Sequence, residues 1–256
     1  MKAEERQSGG PSVTKNVFDV LRCFSSERPL VGVTEIASQV GLHKSSVSRL
    51  LAALEAERIV EQDPETRKFR LGLGLIAIAA PLLADLDVRK AALPFLQELV
   101  RRTHETAGLM VWDEGESVSV EQVPSTYRVK HTSEIGVRYR AGVNSTVQIF
   151  WAFSGLSDAE LSERIGSGRV PLPEGVSVDQ YLERLAHCRD RGYAVNYGES
   201  APDEVGIAAP VYDVRGGVAA AVMIAAPLYR VPESLLDVIG ERCREAGRQI
   251  SVRLGG

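Results

Sequence analysis

Residues 34 to 54 leave this chain few choices. Apolar side chains at Ile36, Ala37 and Val40 recur with helical spacing behind Thr34, a natural N-cap, and Gly41 follows where a helix end turns left-handed at no steric cost. Three residues on, Val47, Leu50, Leu51 and Leu54 fall at i, i+3, i+4 and i+7, so a second helix is predicted from Lys44. Upstream, Val13, Val17, Val20, Leu21 and Phe24 mark an amphipathic helix over about 12–25, which Arg28-Pro29-Leu30 breaks. Two helices joined by a tight glycine-containing turn make a helix-turn-helix candidate.

The side of the second helix facing away from its leucines carries Ser45, Arg49, Ala52 and Ala56, with Ser46 and Ser48 on the flanks and Lys44 in the first turn. Gly41 to Leu54 holds two basic residues and no acid. Small residues let such a helix sit deep in a major groove, where Arg bonds guanine edges or phosphate and the hydroxyls bond phosphate oxygens. An ordinary helical hairpin with a solvated Ser/Arg face fits the same fourteen residues. The next segment of the chain favours DNA. After the apolar pair Ile59-Val60 and the turn Asp63-Pro64-Glu65-Thr66, the run Arg67-Lys68-Phe69-Arg70-Leu71 alternates with period two and puts Phe69 and Leu71 on one face. That is a β-hairpin wing, whose Arg67, Lys68 and Arg70 can meet the phosphate backbone or a minor groove.

Charge alone gives no such hint, since the net value is −4. Through Leu75 there are eleven Lys/Arg and ten Asp/Glu, and beyond it nineteen and twenty-four, so the DNA reading rests on local placement. Apolar residues at 44% and charged residues at 25% exclude a disordered or collagen-like chain, and 256 residues predict two domains. The longest apolar stretches, Leu73–Leu86 and Ala219–Leu228, are broken by Pro81 or fall short of the ~20 residues of a membrane span. Met1 to Ser12 is polar and reads as a flexible tail over 1–11, not a secretory signal. Cys23, Cys188 and Cys243 are isolated and odd in number, which suits neither a disulfide framework nor a zinc site. A cytoplasmic protein is expected.

The run Ser12-Val-Thr-Lys-Asn-Val-Phe-Asp-Val-Leu, then Val33-Thr-Glu-Ile-Ala-Ser-Gln-Val-Gly-Leu-His-Lys-Ser-Ser-Val-Ser-Arg-Leu-Leu-Ala-Ala-Leu and the Phe69-Arg-Leu-Gly wing end resemble the IclR family of bacterial transcriptional regulators. The resemblance extends to Arg191-Gly-Tyr-Ala-Val and Gly206-Ile-Ala-Ala-Pro-Val. It implies a multi-domain chain: a winged helix-turn-helix over 12–73, a linker helix over 74–86 and a C-terminal α+β, GAF-like effector-binding domain over 87–256. It also implies homodimers, often paired into tetramers, that bind a double-stranded DNA operator and a small-molecule effector. Recognition residues carry over to Lys44, Ser45, Ser46, Ser48 and Arg49, the set the periodicity picks out.

Leu73 to Leu86 is apolar around most of its circumference, through Leu75, Ile76, Ile78, Leu82, Leu83 and Leu86, so it must be buried in its own chain or against a second copy. Asp87 then caps a helix over about 88–104, in which Pro94 should kink or break the helix. Strands are predicted at Leu109–Trp112 and Val118–Val123, extended by Tyr127–Thr132, and again at 193–198, 206–213 and 217–226 around a Gly216-Gly217 turn. Helices are predicted at 144–154, 157–166, 179–191 and 232–254. The chain has no Gly-x-Ser-x-Gly, Walker loop, His-Glu-x-x-His or Cys-x-x-Cys, and Gly72-Leu-Gly74 lacks the third glycine of a dinucleotide fingerprint. Neither catalysis nor a cofactor or metal is expected.

The resemblance places effector contacts at Asn144, Ser145 and Thr146, at Asn196, Tyr197, Glu204 and Gly206, and at Met223 and Ala225. A helix N-terminus at Asn144 can hold a carboxylate, or these residues can simply cap the helix. Departures from the family are informative. Arg140-Ala-Gly-Val-Asn-Ser-Thr-Val-Gln148 stands where Pro-x-His-Ala-Ser-x-x-Gly-Lys is usual, Gly206 replaces a common Cys, and Met223-Ile-Ala-Ala-Pro227 replaces Ser-Ile-Ser-Gly-Pro. The pocket should therefore be more apolar, and roomier at Gly206, suiting an aromatic or branched carboxylate. The expected protein is an effector-controlled DNA-binding repressor. The alternatives are a sensor acting through protein partners and a hydrolase or isomerase using Asp203 or Glu204.

Overall fold

The computed structural model describes residues 13–25, 27–85, 87–132 and 134–256, and the side chains of all of these but 81–85 and 87. The 1–11 tail and the roles expected of Leu82, Leu83, Leu86 and Asp87 lie outside the described residues. The chain divides into two compact units, Met1–Asp85 and Leu86–Gly256.

In the first unit, helices α1 (Val13–Leu21), α2 (Val33–Val40) and α3 (Lys44–Ala56) precede a two-stranded ribbon, β1 (Val60–Gln62) and β2 (Phe69–Leu71), and helix α4 (Gly74–Asp85). Val20, Phe24, Ile36, Val47, Leu51, Val60 and Phe69 form its core. Helix α1 ends at Leu21, short of the predicted 25. Helix α2 is capped by Gly32 and not by Thr34, because the Glu35 carboxylate reaches back to accept the Gly32 N–H at 3.1 Å. Gly41 takes φ +70° and lets α3 start three residues later. Val40 is only partly covered.

The wing is shorter than the alternation predicts. Arg67 adopts φ +58°, so extended backbone begins only at Phe69. Phe69 is buried, while Leu71 at the strand end is 45% exposed and does not share its cover. A third strand residue appears that the sequence did not signal: Val31 and Phe69 exchange two N–H···O bonds at 2.9 Å. Gly72 and Gly74 have a packing reason, since the chain closes on the Arg58 carbonyl, with Gly74 N–H donating to it at 2.9 Å, and a Cβ at either glycine would collide with that oxygen. Leu73, just before α4, and Ile76 and Ile78 on it are 73%, 58% and 70% exposed.

The second unit is a six-stranded, wholly antiparallel sheet between two helical layers. Its strands are β3 (Thr106–Asp113), β4 (Glu116–Val123), β5 (Arg138–Tyr139), β6 (Ala194–Tyr197), β7 (Glu204–Tyr212) and β8 (Val218–Pro227), in the order β5-β4-β3-β8-β7-β6. Helices α5 (Asp87–Thr103) and α9 (Leu236–Arg253) share one core with Leu109, Ile207, Val222 and Ile224. Helices α6 (Ser145–Ala152), α7 (Asp158–Gly166) and α8 (Val178–Arg191) share the other with Met110, Ala208, Met223 and Ala225. The alternation along β7 and β8 assigns each residue to one layer.

Helix α5 runs unbroken through Pro94, so packing overrides the lost backbone bond. Tyr127–Thr132 is not a strand. The Ser125 hydroxyl donates to His104 O and its N–H donates to Thr106 Oγ1, which turns the chain off the sheet, and β5 takes the edge beside Ser117 and Val118. Gly247 lets α9 lie against the Pro210 carbonyl, which a Cβ there would strike. No described helix is long and apolar enough to cross a membrane.

Candidate nucleic-acid interface and ligand floor

Helix α3 is anchored by Val47 and Leu51, both at 0% exposure, which fixes its rotation about its own axis. The opposite face is thereby turned outward. Lys44, Ser45, Ser48 and Arg49 are exposed and Ser46 is half-buried. Arg49 lies back along the helix, its Nε donating to the Ser45 carbonyl at 3.3 Å, a weak contact that a stronger acceptor would displace. The turn holding Arg67 is set by Asp63, whose carboxylate accepts from Thr66 N–H and Oγ1 at 2.8 Å each. Those two bonds hold the Asp63 carboxyl below its usual range.

The three wing cations are not equivalent. Lys68 Nζ holds Glu35 Oε1 at 3.0 Å and Arg70 holds Glu61 at 3.0 and 3.2 Å, whereas the exposed Arg67 side chain has no ion-pair partner among the described residues. Arg67 therefore needs no exchange of partners to meet a phosphate. Glu35 was missed by sequence reading. It caps α2 and clips the wing, and the Gly32 N–H followed by Lys68 lower its pKa.

In the second unit, register across the sheet gathers most of the expected ligand contacts on the α6 side. Asn196, Gly206, Ala225 and Thr106 lie side by side on neighbouring strands, and the next row holds Ala208, Met223 and Gly108. Glu204 shares the parity of Gly206 on β7. Tyr197 does not join them, because it is one residue from Asn196 on an extended strand and packs into the opposite core.

Polar atoms on this floor are largely engaged. Asn144 caps α6: its Oδ1 accepts from Thr146 N at 3.0 Å, Thr146 Oγ1 at 2.6 Å and Val147 N at 3.4 Å. Thr146 Oγ1 lies 2.7 Å from Ser117 Oγ. Asn196, 1% exposed, binds Ser200 Oγ through Nδ2 and accepts two N–H groups of residues 199 and 200 through Oδ1. Buried Gln148 donates to Val143 O and Val195 O, tying α6 to β6. Ser145 and Ser119 are also buried on this floor, at 2% and 1% exposure. The room expected at Gly206 is taken up, since a Cβ there would sit 3.0 Å from Ser145 Oγ. Met223 likewise lies over Gly108, its Sδ 3.2 Å from where a Cβ would be. Ser117 and Ser119 were missed too, although a serine at every second position of a strand marks one polar face.

Cys23, Cys188 and Cys243 are free and buried, and burial raises all three thiol pKa values. No cluster of three or more His, Cys, Asp or Glu able to hold a metal occurs among the described residues.

Residues 80–252 match the family described as the bacterial transcriptional regulator IclR C-terminal domain, and residues 13–64 match the IclR helix-turn-helix domain. The chain belongs to the IclR family. It is thus a DNA-binding transcriptional regulator with a winged helix-turn-helix unit and an α+β unit. Similar IclR-type proteins span it almost end to end. The regulator XynR of Escherichia coli K12 is 27% identical over 244 residues, covering 94% of this chain and 96% of XynR. The repressor AllR of the same strain is 26% identical over 257 residues, covering 99% and 94%. An IclR homologue from Microbacterium hydrocarbonoxydans, solved in complex with 4-hydroxybenzoate, superposes with a TM-score of 0.79 at 26% identity, covering 95% of this chain and 99% of that one.

Proposed function

We propose that this IclR-family protein is a cytoplasmic, non-enzymatic repressor that reads its operator with Lys44, Ser45, Ser46, Ser48 and Arg49, steadied on phosphate by Arg67, Lys68 and Arg70. The observation that carries the reading is the outward Ser/Arg face of α3, held there by Val47 and Leu51. Repression is the mode named for AllR. The chain divides at residues 73/74 and 86/87, into a reader over 12–73, a linker helix over 74–86 and an effector domain over 87–256. The working form is a homodimer. Support for this comes from the apolar side chains of Leu73, Ile76 and Ile78, which the chain leaves in solvent and a second copy would cover. Two-fold symmetry then requires repeated half-sites in the DNA.

The effector is an apolar carboxylate held on the α6 side of the sheet. Ser145, Asn196, Glu204, Gly206, Met223 and Ala225 surround it, while Asn144 and Thr146 shape the helix start and Tyr197 supports from the opposite core. The hydroxyls of Ser145 and Ser119 supply donors, and Met223 shifts off Gly108 to admit an aromatic or branched body. The relative that binds 4-hydroxybenzoate favours this ligand class. Effector binding alters DNA affinity only by distinguishing reader arrangements that can and cannot span two half-sites.

Two measurements test this. Binding to the upstream intergenic fragment should weaken steeply as salt rises, because phosphate contacts release counterions. Thermal melting should rise with 4-hydroxybenzoate-like acids more than with glyoxylate or pyruvate. Salt-independent or absent DNA binding would remove the reader assignment, and stabilisation by the small oxoacids alone would remove the effector class.

A further inference from the structure

The second unit has a cleft at the sheet end opposite the Asn196–Gly206 row, lined by the β3–β4 and β7–β8 hairpins and the C-terminal end of α6. Its volume is about 960 Å³, the size of a small-molecule site. Two features set its chemistry. The floor is aromatic: Trp112 stacks on Phe150 at 4.9 Å between ring centres and 29° between planes, and Trp151 meets Trp112 edge-on at 5.4 Å. The rim is cationic. Arg138 is neutralised by Asp113 at 2.6 Å and Glu116 at 3.0 Å, but the exposed Arg140, Arg164 and Arg169 have no ion-pair partner among the described residues. Of the other lining groups only Glu114 opposes them. Trp151 adds an independent sign, because its indole nitrogen is the buried side-chain N or O atom without a hydrogen-bond partner among the described residues.

An aromatic floor under three unpaired arginines selects a ligand that is flat and apolar at one end and anionic at the other. Guanidinium groups bind carboxylate or phosphate oxygens in pairs, and their planar faces also stack on rings. The lining sets Arg138, Arg140, Arg164 and Arg169 against Glu114 and Glu116, an excess of two positive charges at the cleft that Asp113, bonded behind Arg138, reduces to one. We propose that this cleft is a second ligand site, distinct from the floor beneath α6, that takes a planar aromatic dianion such as an aryl phosphate or an aromatic dicarboxylate. The ring lies on Trp112 and Phe150 and the anionic group is held by Arg140, Arg164 and Arg169.

The chain has two tryptophans, and both line this cleft, so tryptophan emission reports on it directly. The full-length protein is titrated with phenyl phosphate, with inorganic phosphate and phenol as the separated halves. The expected result is a saturable emission change with phenyl phosphate, at a midpoint at least tenfold lower than for either half. The double variant Arg164→Gln/Arg169→Gln should raise that midpoint at least tenfold with an unchanged melting temperature, and Arg140→Gln alone should raise it less. Ser145→Ala, on the other floor, should leave it unmoved. No emission change with phenyl phosphate, equal midpoints for phenol and phenyl phosphate, an unshifted midpoint in the double variant, or loss of the response in Ser145→Ala would each overturn the proposal. Failure of the α6 floor to bind a carboxylate would leave these outcomes unaffected.

Discussion

The two units place their polar groups in opposite ways. In the first, the hydroxyls and cations of α3 face water and are barely engaged, with Arg49 held only by a 3.3 Å contact to its own turn. In the second, Ser117, Thr146, Gln148 and Asn196 are buried and already hydrogen-bonded. A surface that must meet a large, flat-potential partner can keep its groups solvated until contact. A pocket for a small molecule must hold its polar atoms out of water beforehand, and each needs a partner because an unsatisfied buried group costs stability. Substitutions should therefore cost binding in the first unit and stability in the second, except at the anchors that aim α3.

The largest effect tests that exception. Leu51→Ala removes a fully buried side chain beneath the DNA face and should destabilise the first unit by about 2–5 kcal/mol. Both tryptophans, Trp112 and Trp151, lie in the second unit. Circular dichroism should thus show an early transition that tryptophan emission does not, and coincident unchanged transitions would contradict the separation. Next, Thr146→Val strips the hydroxyl shared by Ser117 and Asn144 and should cost about 1–3 kcal/mol by leaving Ser117 buried and unpaired. That loss should appear in tryptophan-detected denaturation with DNA affinity per folded molecule unchanged.

The smallest effect is a pH dependence. The folded pKa of Glu35 lies below its ordinary value, so its contribution is present above about pH 4.5, where the unfolded carboxyl is ionised, and is lost as pH falls through the folded value. Wing and α2 cap should loosen together in that acid window, seen as earlier amide exchange at Gly32, and Glu35→Gln should flatten the dependence. Unaltered exchange in the variant would show that the clip to Lys68 holds nothing.

Legibility in the sequence divides along the same line. The face of α3 was legible because helical periodicity is local: the residues that bury it and those that face out share thirteen positions. Gly41, Asn144 and the order of strands and helices were legible for the same reason. The ribbon from Tyr127 was not, because a hydroxyl at Ser125 reaching back to His104 decides it across twenty-one residues. Neither was the fate of the space at Gly206, which depends on Ser145 arriving from sixty-one residues away. Tyr197 was misplaced by parity alone, since one residue along a strand exchanges the two faces. The apolar run from Leu73 reads as needing cover, and Leu73, Ile76 and Ile78 are exposed, but no property of one chain says which surface supplies that cover.

The role given to the outward face of α3 is tested most directly by comparing Arg49→Ala with wild type on the upstream fragment and on random duplex, by fluorescence anisotropy over a range of salt. The preference for the upstream fragment should fall by about 1–3 kcal/mol, while random-duplex affinity drops only by the share of one charge and melting is unchanged. An unchanged preference would mean that this face does not read the operator.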